Sequence, residues 1–580
     1  MTATPEIAVR PKLPTRKDAI IFRGKTAFLQ LRRFVVDGVD RKVKRHPKTS
    51  NLKDATVIAT SRSPLWTESA PEERFLIAGK IHNLRLAVKR LEGVVVPPSE
   101  IFSFWKQLGR AGRIGGYVVG RELREGCIIP NVGGGLCQIS NALYDAAMQA
   151  GFEIVERHAH SQVIPGSLAE KGRDATVFWN YVDLRFRSES VFRIEAKLDG
   201  EDLVVRFRGE RSNGKLHSIT RAVVHTDSPN SCASCEADCH RVIKTGTHAD
   251  FGSTAYLLDE LTPEFDAYIQ QTRSNTDRLF IPLDGKRFRK GNYAWTTDGF
   301  RSVRQGLVVT AKRSYRSRRL ATQGAARQLN LLAMYEELAE NYARKLSYDT
   351  LHVVVHQNLL PYLWRSGHLG GRTFDVLMTA LPMSEIQNRL DHAFALHPES
   401  KTLGDFRADE SLVVAEADAL KNARKIITSH SEIASLFGER SELLKWRRPE
   451  VLRPERSANA KRRIVFPAST VGRKGCYELR EAVRGLDVQI VLLGPMIESQ
   501  DFWDGFDTVR GGDDWMKIVD LVVLQAFVEH RPRRLLMAAA AGIPVIASTA
   551  CGVANVEGID TVEAGDTASL REKIINLTSH

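Results

Sequence analysis

Cysteine is scarce in this chain, with seven in 580 residues. They are too few and too unevenly spread for a disulfide scaffold. No run approaches the roughly 18 uninterrupted apolar residues of a membrane span. The opening MTATPEIAVRPKLPTRKDAIIF has no apolar core followed by a small-residue cleavage site, so a secretory leader is not expected. No fixed-period repeat stands out, which argues against a solenoid. Together these absences predict a reduced, cytoplasmic chain without a transmembrane segment. What is present is an ordinary globular balance, 43% hydrophobic and 26% charged. The length suits about three to five compact units.

The formal charge is +14, and it is concentrated. Residues 1–60 carry fourteen Lys and Arg against five Asp and Glu. Such a segment is either a solvated basic arm or a surface for an anionic partner, a headgroup layer or a polymer. No aromatic interleaving accompanies the charge, so nucleic acid is not the expected partner.

Composition shifts divide the chain into a basic segment (1–60), an α+β domain (61–214), a Cys-rich segment (215–250) and two α/β domains (251–445 and 446–580). In the α+β domain, EERFLIAGKIHNLRLAVKRL has the spacing of a helix with a buried face, ended before Pro97 and Pro98. VFRIEAKLDGEDLVVRFRGE predicts a hairpin around Asp199-Gly200, and EIVERHAHSQ and ATVFWNYVDLRFR have strand-like composition. From residue 251 onward, short apolar strands (TAYLLD, LHVVVH, FDVLMT, KIITSH, RIVFPA, QIVLLG, LVVLQ, PVIAST) alternate with helical stretches. That alternation predicts parallel sheets covered on both faces, and its length predicts two Rossmann-type domains with a cleft between them. ERSELLKWRRPEVLRPERSANAKRR, charged and holding Pro449 and Pro454, is the expected linker.

Three constellations carry chemistry. In NVGGGLCQISNALYDAA, three glycines precede Cys137 at a predicted helix start. Glycines permit close approach, and a helix N-terminus favours a thiolate or an oxyanion. RHAHS supplies His158 and His160, which would share a face in a strand; Asp174 and Asp183 are candidate orienters. Cysteine, histidine and aspartate in that order suit acyl transfer or amide cleavage. A buried structural thiol, or a pocket that binds without turnover, uses the same residues.

These segments resemble the VanW family, named from vancomycin-resistance clusters. VVVPPSEIFSFWKQLGRAGRIGGY, GGGLCQISNALYDAAMQAGFEIVERHAHS and GRDATVFWNYVDLRFR occur in order, over roughly residues 70 to 195. The family name imports little chemistry, so the Cys–His–Asp reading stands on the residues.

The second constellation, SCASCEADCHR, places Cys232, Cys235, Cys239 and His240 within nine residues. That spacing predicts a structural zinc site, with His225 or His248 as another fourth ligand. An iron–sulfur cluster is the alternative, and uncoordinated thiols a third reading.

The third constellation lies in the α/β half. FPASTVGRKGCYELREAVRGLDVQIVLLG and LVVLQAFVEHRPRRLLMAAAAGIPVIAST resemble retaining GT-B glycosyltransferases, the group that includes sucrose and lipopolysaccharide glycosyltransferases. The resemblance implies that Lys474, with Arg473, and Glu529 contact a nucleotide-sugar donor. Two positions depart from the pattern: Ala468 and Ser469 stand where a Gly-Arg pair is usual, and Met537 stands where a second Glu is usual. Methionine cannot accept the hydrogen bonds of a ribose. On the acceptor side, His356 at a strand end is a candidate catalytic residue, with His368 and Arg372 in a Gly370-Gly371 loop for an anionic group. Glu399 and Arg407 are further polar candidates. The preferred expectation is sugar transfer from a nucleotide-sugar to an unidentified acceptor. The alternatives are a cysteine enzyme centred on Cys137 beside a degenerate GT-B module, and a non-enzymatic binding protein.

Overall fold

The computed structural model describes residues 16–39, 43–67, 73–124, 127–160, 166–211, 230–231, 251–319, 325–404, 407–450 and 461–578. The chain forms two compact units. The first comprises Met1–Gly252 with two later stretches, Ser347–Leu351 and Gly367–Arg372. The second holds Ser253–Leu346, His352–Ser366 and Thr373–His580.

The first unit is α+β, as expected. Its helices are α1 (Arg16–Val39), α2 (Arg74–Leu91), α3 (Phe104–Leu108) and α4 (Cys137–Gln149). Strands β1 (Val57–Pro64), β2 (Val94–Val96), β3 (Phe102–Ser103), β4 (Val119–Arg124) and β5 (Cys127–Val132) precede β6 (Glu153–Glu156), β7 (Arg185–Arg187), β8 (Phe192–Asp199), β9 (Asp202–Gly209) and β10 (Asn230–Ser231). An antiparallel sheet has the order β1-β9-β8-β2; β10-β5-β4 and β3-β7-β6 form two smaller sheets. The β8–β9 hairpin closes on Asp199 opposite Asp202, where Gly200 supplies φ +61°. Phe102, Phe152, Phe186, Phe192 and Phe207 stack in the core. Each such buried ring stabilises the fold by roughly 1.5–3 kcal/mol.

Helix α2 is buried on nearly every side, so polar residues go inside with it. Arg85 donates from Nε to the Gly367 carbonyl at 2.9 Å and from Nη2 to the Gly370 carbonyl at 2.7 Å. The helix ends before the prolines expected to stop it: Gly93 takes φ +81°, and Val94–Val96 turn away to pair with β8. The run EIVERHAHSQ is strand only to Glu156, after a register shift between Ile154 and Glu156. His158 and His160 therefore lie beyond the strand and do not share a strand face. Residues 1–60 include helix α1, whose Arg33 pairs with Glu156 and whose Asp37 pairs with Arg185 at 2.5 Å.

The second unit contains two fully parallel sheets. The first has seven strands, β11 (Thr254–Leu257), β12 (Arg278–Ile281), β13 (Ser302–Gln305), β14 (His352–His356), β15 (Thr373–Leu377), β16 (Lys425–Thr428) and β17 (Ser441–Leu443), in the order β13-β12-β11-β14-β15-β16-β17. The second has six, β18 (Arg462–Phe466), β19 (Val488–Leu492), β20 (Thr508–Arg510), β21 (Leu521–Leu524), β22 (Val545–Ser548) and β23 (Ile559–Val562), in the order β20-β19-β18-β21-β22-β23. Both are doubly wound, Rossmann-type sheets whose strand order reverses once, between β11 and β14 and between β18 and β21. The apolar runs read as strands are buried through their centres, as parallel strands under helices must be. The expected linker instead begins with β17 at a sheet edge, while residues 451–460 are not among those described. Among the described residues, no helix is long and apolar enough to cross a membrane.

Candidate thiol site and strand-end polar residues

Cys137 opens α4, and the three glycines before it are explained by packing. A Cβ on Gly134 would lie 2.5 Å from the Gly120 backbone, and one on Gly135 (φ +99°) would lie 2.1 Å from Lys80 Cγ. The triple glycine lets α2, β4 and the start of α4 meet at backbone distance.

The partners of Cys137 come from two irregular stretches fastened to α4. Asn141 Oδ1 accepts the Ala175 amide at 2.7 Å, and Ser140 Oγ donates to the Ala175 carbonyl at 2.5 Å. The Thr176 amide donates to the His158 carbonyl at 2.8 Å, and Arg157 Nε donates to the Asp174 carbonyl at 2.6 Å. These bonds hold the 157–160 and 174–177 segments side by side.

Within that frame Asp174 binds His160 twice. Its Oδ1 lies 2.5 Å from His160 Nδ1, and its Oδ2 accepts the His160 amide at 2.5 Å. With Nδ1 taken by the carboxylate, Nε2 is the nitrogen left for the Cys137 sulfur, which is within hydrogen-bonding reach of the ring. Burial works against charge on His160. The Cys137 sulfur and the Asp174 carboxylate outweigh it and raise the imidazole to about 10. Cys137 Sγ is also 3.9 Å from the Val177 carbonyl. The structure thus brings Cys137, His160 and Asp174 together.

His158 and Asp183 lie elsewhere. The His158 ring is 52% exposed, sits 3.4 Å from Glu156 and is not among the residues lining the cavity of Cys137 and His160. Asp183 is buried and accepts from Ser103 Oγ at 2.6 Å and Arg185 Nε at 2.9 Å, so it braces β3 and β7.

Cys137 and His160 open into a cavity of about 690 Å³, whose other walls include Trp105, Arg121, Asn131 and Trp179. Sequence reading missed Lys80, which lines this cavity from α2. It also missed the clamps Ser140 and Asn141. A lysine within a helical pattern looks like a solvent-facing residue; only the flanking Gly79, whose Cβ would meet the Val119 carbonyl at 1.9 Å, signals close packing there.

In the second unit, the polar candidates collect where the two sheets reverse. His356 ends β14 and is buried; its Nδ1 accepts the Asn358 amide at 3.3 Å, and its Nε2 has no hydrogen-bond partner among the described residues. Burial lowers its pKa against the pull of Asp259, which follows β11. Asp259 in turn takes Arg313 at 2.6 Å and Asn358 at 3.1 Å. In the other domain, Lys474 Nζ lies 3.0 Å from Glu529 Oε2 and donates to the Val528 carbonyl at 2.9 Å. Burial raises the Glu529 carboxyl, but the Lys474 ammonium and the Arg531 amide outweigh it and hold it below the ordinary value. The Arg473 carbonyl accepts the Phe527 amide at 3.0 Å. The two domains meet through Arg531 with Glu260 at 2.6 Å and Arg533 with Glu264 at 2.5 Å. His356 thus ends β14 and Asp259 follows β11, and Lys474 and Glu529 follow β18 and β21, at the carboxyl ends of strands where doubly wound folds bind ligands.

Arg372 and His368 are not among these strand-end residues of the second unit. Both belong to the first unit, where Arg372 donates to the carbonyls of Thr350 at 2.9 Å, His368 at 2.5 Å and Ser347 at 3.0 Å. His368 Nε2 lies 2.8 Å from Lys89 Nζ, and burial with that neighbouring charge lowers the imidazole to about 2. An arginine with these acceptors is a brace for the loop. Arg407 pairs with Asp391 at 2.6 Å, and Glu399 lies 3.7 Å from His397. Cys232, Cys235, Cys239 and His240 lie outside the described residues, as do His225 and His248. Among the described residues no group of three or more His, Cys, Asp or Glu could hold a metal ion.

Comparison with known proteins covers both units. Residues 79–208 match a family model described as VanW like protein. The chain is 35% identical over 144 residues to the uncharacterized protein YoaR of Bacillus subtilis (strain 168), covering 24% of this chain and 47% of that one. It is 30% identical over 152 residues to the vancomycin B-type resistance protein VanW of Enterococcus faecalis (strain ATCC 700802 / V583), covering 25% and 54%. The chain thus spans about half the length of the curated relatives it matches. The structure is similar to sucrose-phosphate synthase from Thermosynechococcus elongatus over 57% of this chain and 90% of that one, at 14% identity and a TM-score of 0.36. The matched stretch contains Cys137, His160 and Asp174, and the chain therefore carries a VanW family domain at residues 79–208.

Proposed function

We propose that the first unit is a cysteine acyl-transfer enzyme with Cys137 as nucleophile. The single observation that supports this most is the His160 imidazole fixed by the Asp174 carboxylate, under the influence of the Cys137 sulfur, in the wall of a cavity that both line. In the proposed reaction the sulfur attacks the carbonyl carbon of an amide or ester, forming a C–S bond. His160 delivers its Nε2 proton to the leaving nitrogen or oxygen as that bond breaks. An incoming amine or water then takes the acyl group from sulfur, returning its proton through His160. Asp174 keeps the ring in the orientation that points Nε2 at sulfur. The reading needs a reduced thiol, which fits the cytoplasmic location expected from sequence. The test is site-resolved alkylation of the full chain with iodoacetamide at neutral pH. Cys137 should react at least tenfold faster than the same thiol in the urea-unfolded chain, and His160→Ala should remove the difference. Reaction at the unfolded rate would overturn the reading.

A second activity is proposed from the polar residues at the strand ends of the second unit. In this reading the two Rossmann-type domains form a GT-B-type glycosyltransferase pair. Lys474 and Glu529 hold the diphosphate and sugar of a nucleotide-sugar, and His356 faces the acceptor. Its support is that the Lys474–Glu529 pair and His356 each lie at or after the end of a strand where the order of its own sheet reverses. Saturable stabilisation by uridine diphosphate, lost in Lys474→Ala, tests it. The Cys232, Cys235, Cys239 and His240 cluster is proposed to hold structural zinc, checked by metal analysis of the purified chain.

A further inference from the structure

Lys80 is 7% exposed and lines the cavity that Cys137 opens into. Its stem lies against Gly135, two residues before the nucleophile. A buried ammonium ordinarily has a carboxylate or carbonyl to meet it. Among the described residues Lys80 has none. Burial, and secondarily the charge of Arg121, lowers its pKa to about 7. Arg121 shares the cavity and is only partly satisfied: it pairs with Glu73 at 3.1 Å and donates to Thr67 Oγ1 at 3.0 Å, while its Nε is buried without a partner. Arg110 and Arg124 also line the cavity. Against these four cations stands one described carboxylate, Glu122, already engaged by Arg124 and Asn131. Among the described residues the cavity lining therefore carries more cations than carboxylates, and Lys80 has no counterion there.

We propose that Lys80, with Arg121, receives a carboxylate of the substrate, so that the Cys137 enzyme selects acyl compounds carrying an anionic group. The inference rests on the acyl-transfer reading above and deepens it by naming the chemical class of the substrate. A carboxylate at Lys80 supplies the missing counterion, and its distance from sulfur decides which carbonyl is presented. Lys80 is a specificity residue here, and the bond-making groups remain Cys137 and His160.

The test compares two alkylating agents on the full chain at pH 6, where Lys80 is protonated. Iodoacetate carries a carboxylate and iodoacetamide does not; each forms an S–C bond with Cys137 and releases iodide. The measured quantity is the ratio of their rates at Cys137, read by mass spectrometry and divided by the ratio in the unfolded chain. A normalised ratio of about ten or more is expected, falling at least fivefold in Lys80→Met and surviving in Lys80→Arg. In the unsubstituted protein the ratio should also fall between pH 6 and pH 8 as Lys80 loses its proton. That measurement needs no variant to fold. His160, raised to about 10, stays protonated across this window. A ratio near one at pH 6, or a raised ratio indifferent to both Lys80→Met and pH, would overturn the proposal. The iodoacetamide rate by itself tests the acyl-transfer reading. A slow Cys137 with a Lys80-dependent ratio would sink that reading and leave an anion-binding pocket.

Discussion

Asp174 spends both carboxylate oxygens on one residue, His160, meeting its ring Nδ1 and its backbone amide at 2.5 Å each. One side chain thus sets where the imidazole lies and which nitrogen faces the sulfur. Asp174→Asn retains one acceptor oxygen and adds a donor, so it cannot satisfy both N–H groups. Cys137 alkylation or acyl transfer should fall by about 10²–10⁴-fold with little change in thermal stability. An Asn variant as reactive as the parent would show that Asp174 does not orient the ring.

Gly135 has a different vulnerability. Its φ of +99° and the 2.1 Å approach to Lys80 Cγ leave no room for a methyl group. The Lys80 Cβ and Cα lie only 2.9 and 3.2 Å from the same point, so α2 itself would have to move. Gly135→Ala should cost about 2–5 kcal/mol, combining backbone strain with overpacking. Urea unfolding monitored within the first unit measures it.

The Lys474–Glu529 pair predicts non-additive behaviour. Both side chains are largely buried, so Lys474→Met leaves a carboxylate without its cation and should destabilise the second unit by about 3–5 kcal/mol. The double change Lys474→Met with Glu529→Gln removes both charges and should recover most of the loss. A double-mutant cycle in chemical denaturation gives the coupling directly.

Glu156 supplies a pH dependence. Burial opposes its charge, but His158, Arg33 and Arg185 outweigh it and bring its pKa to about 2. The folded value is below the unfolded value of 4.5, so the stabilisation is present above about pH 4.5 and is lost as pH falls toward 2. Glu156→Gln should therefore be about 1–3 kcal/mol less stable than the parent at pH 7. The two should converge in denaturation midpoints between pH 4.5 and pH 2.

Legibility in the sequence followed burial. Strands β11, β14, β15, β16, β18, β19, β21 and β22 are continuous apolar runs because both faces of a parallel sheet are covered. The edge strands β13, β17, β20 and β23 were not read out, because SVRQ, SEL, TVR and IDTV keep polar residues where one side of the ladder is open. Cys137 was visible from its glycines and helix start, though those glycines answer to Lys80 and Gly120. The separation of His160 from His158 was not visible. It depends on a chain that leaves β6 at Glu156 and on Asn141 and Ser140 gripping Ala175, neither of which has a periodic signature. Arg372 misled for a related reason: a Gly-rich loop after a strand resembles an anion cradle until three carbonyls take its guanidinium.

Contiguity along the chain and contiguity in space part company in the first unit. Trp66 Nε1 donates to the Gly371 carbonyl at 2.9 Å, and Arg85 relies on the carbonyls of Gly367 and Gly370. All three acceptors are encoded more than 250 residues downstream. A fragment ending at Gly252 would contain the whole thiol apparatus and still strand a guanidinium in an oily interior, at roughly 1–3 kcal/mol for each orphaned donor. The downstream stretch is thus a folding cofactor in cis, and a gene cut at the apparent border separates the first unit from part of its own foundation.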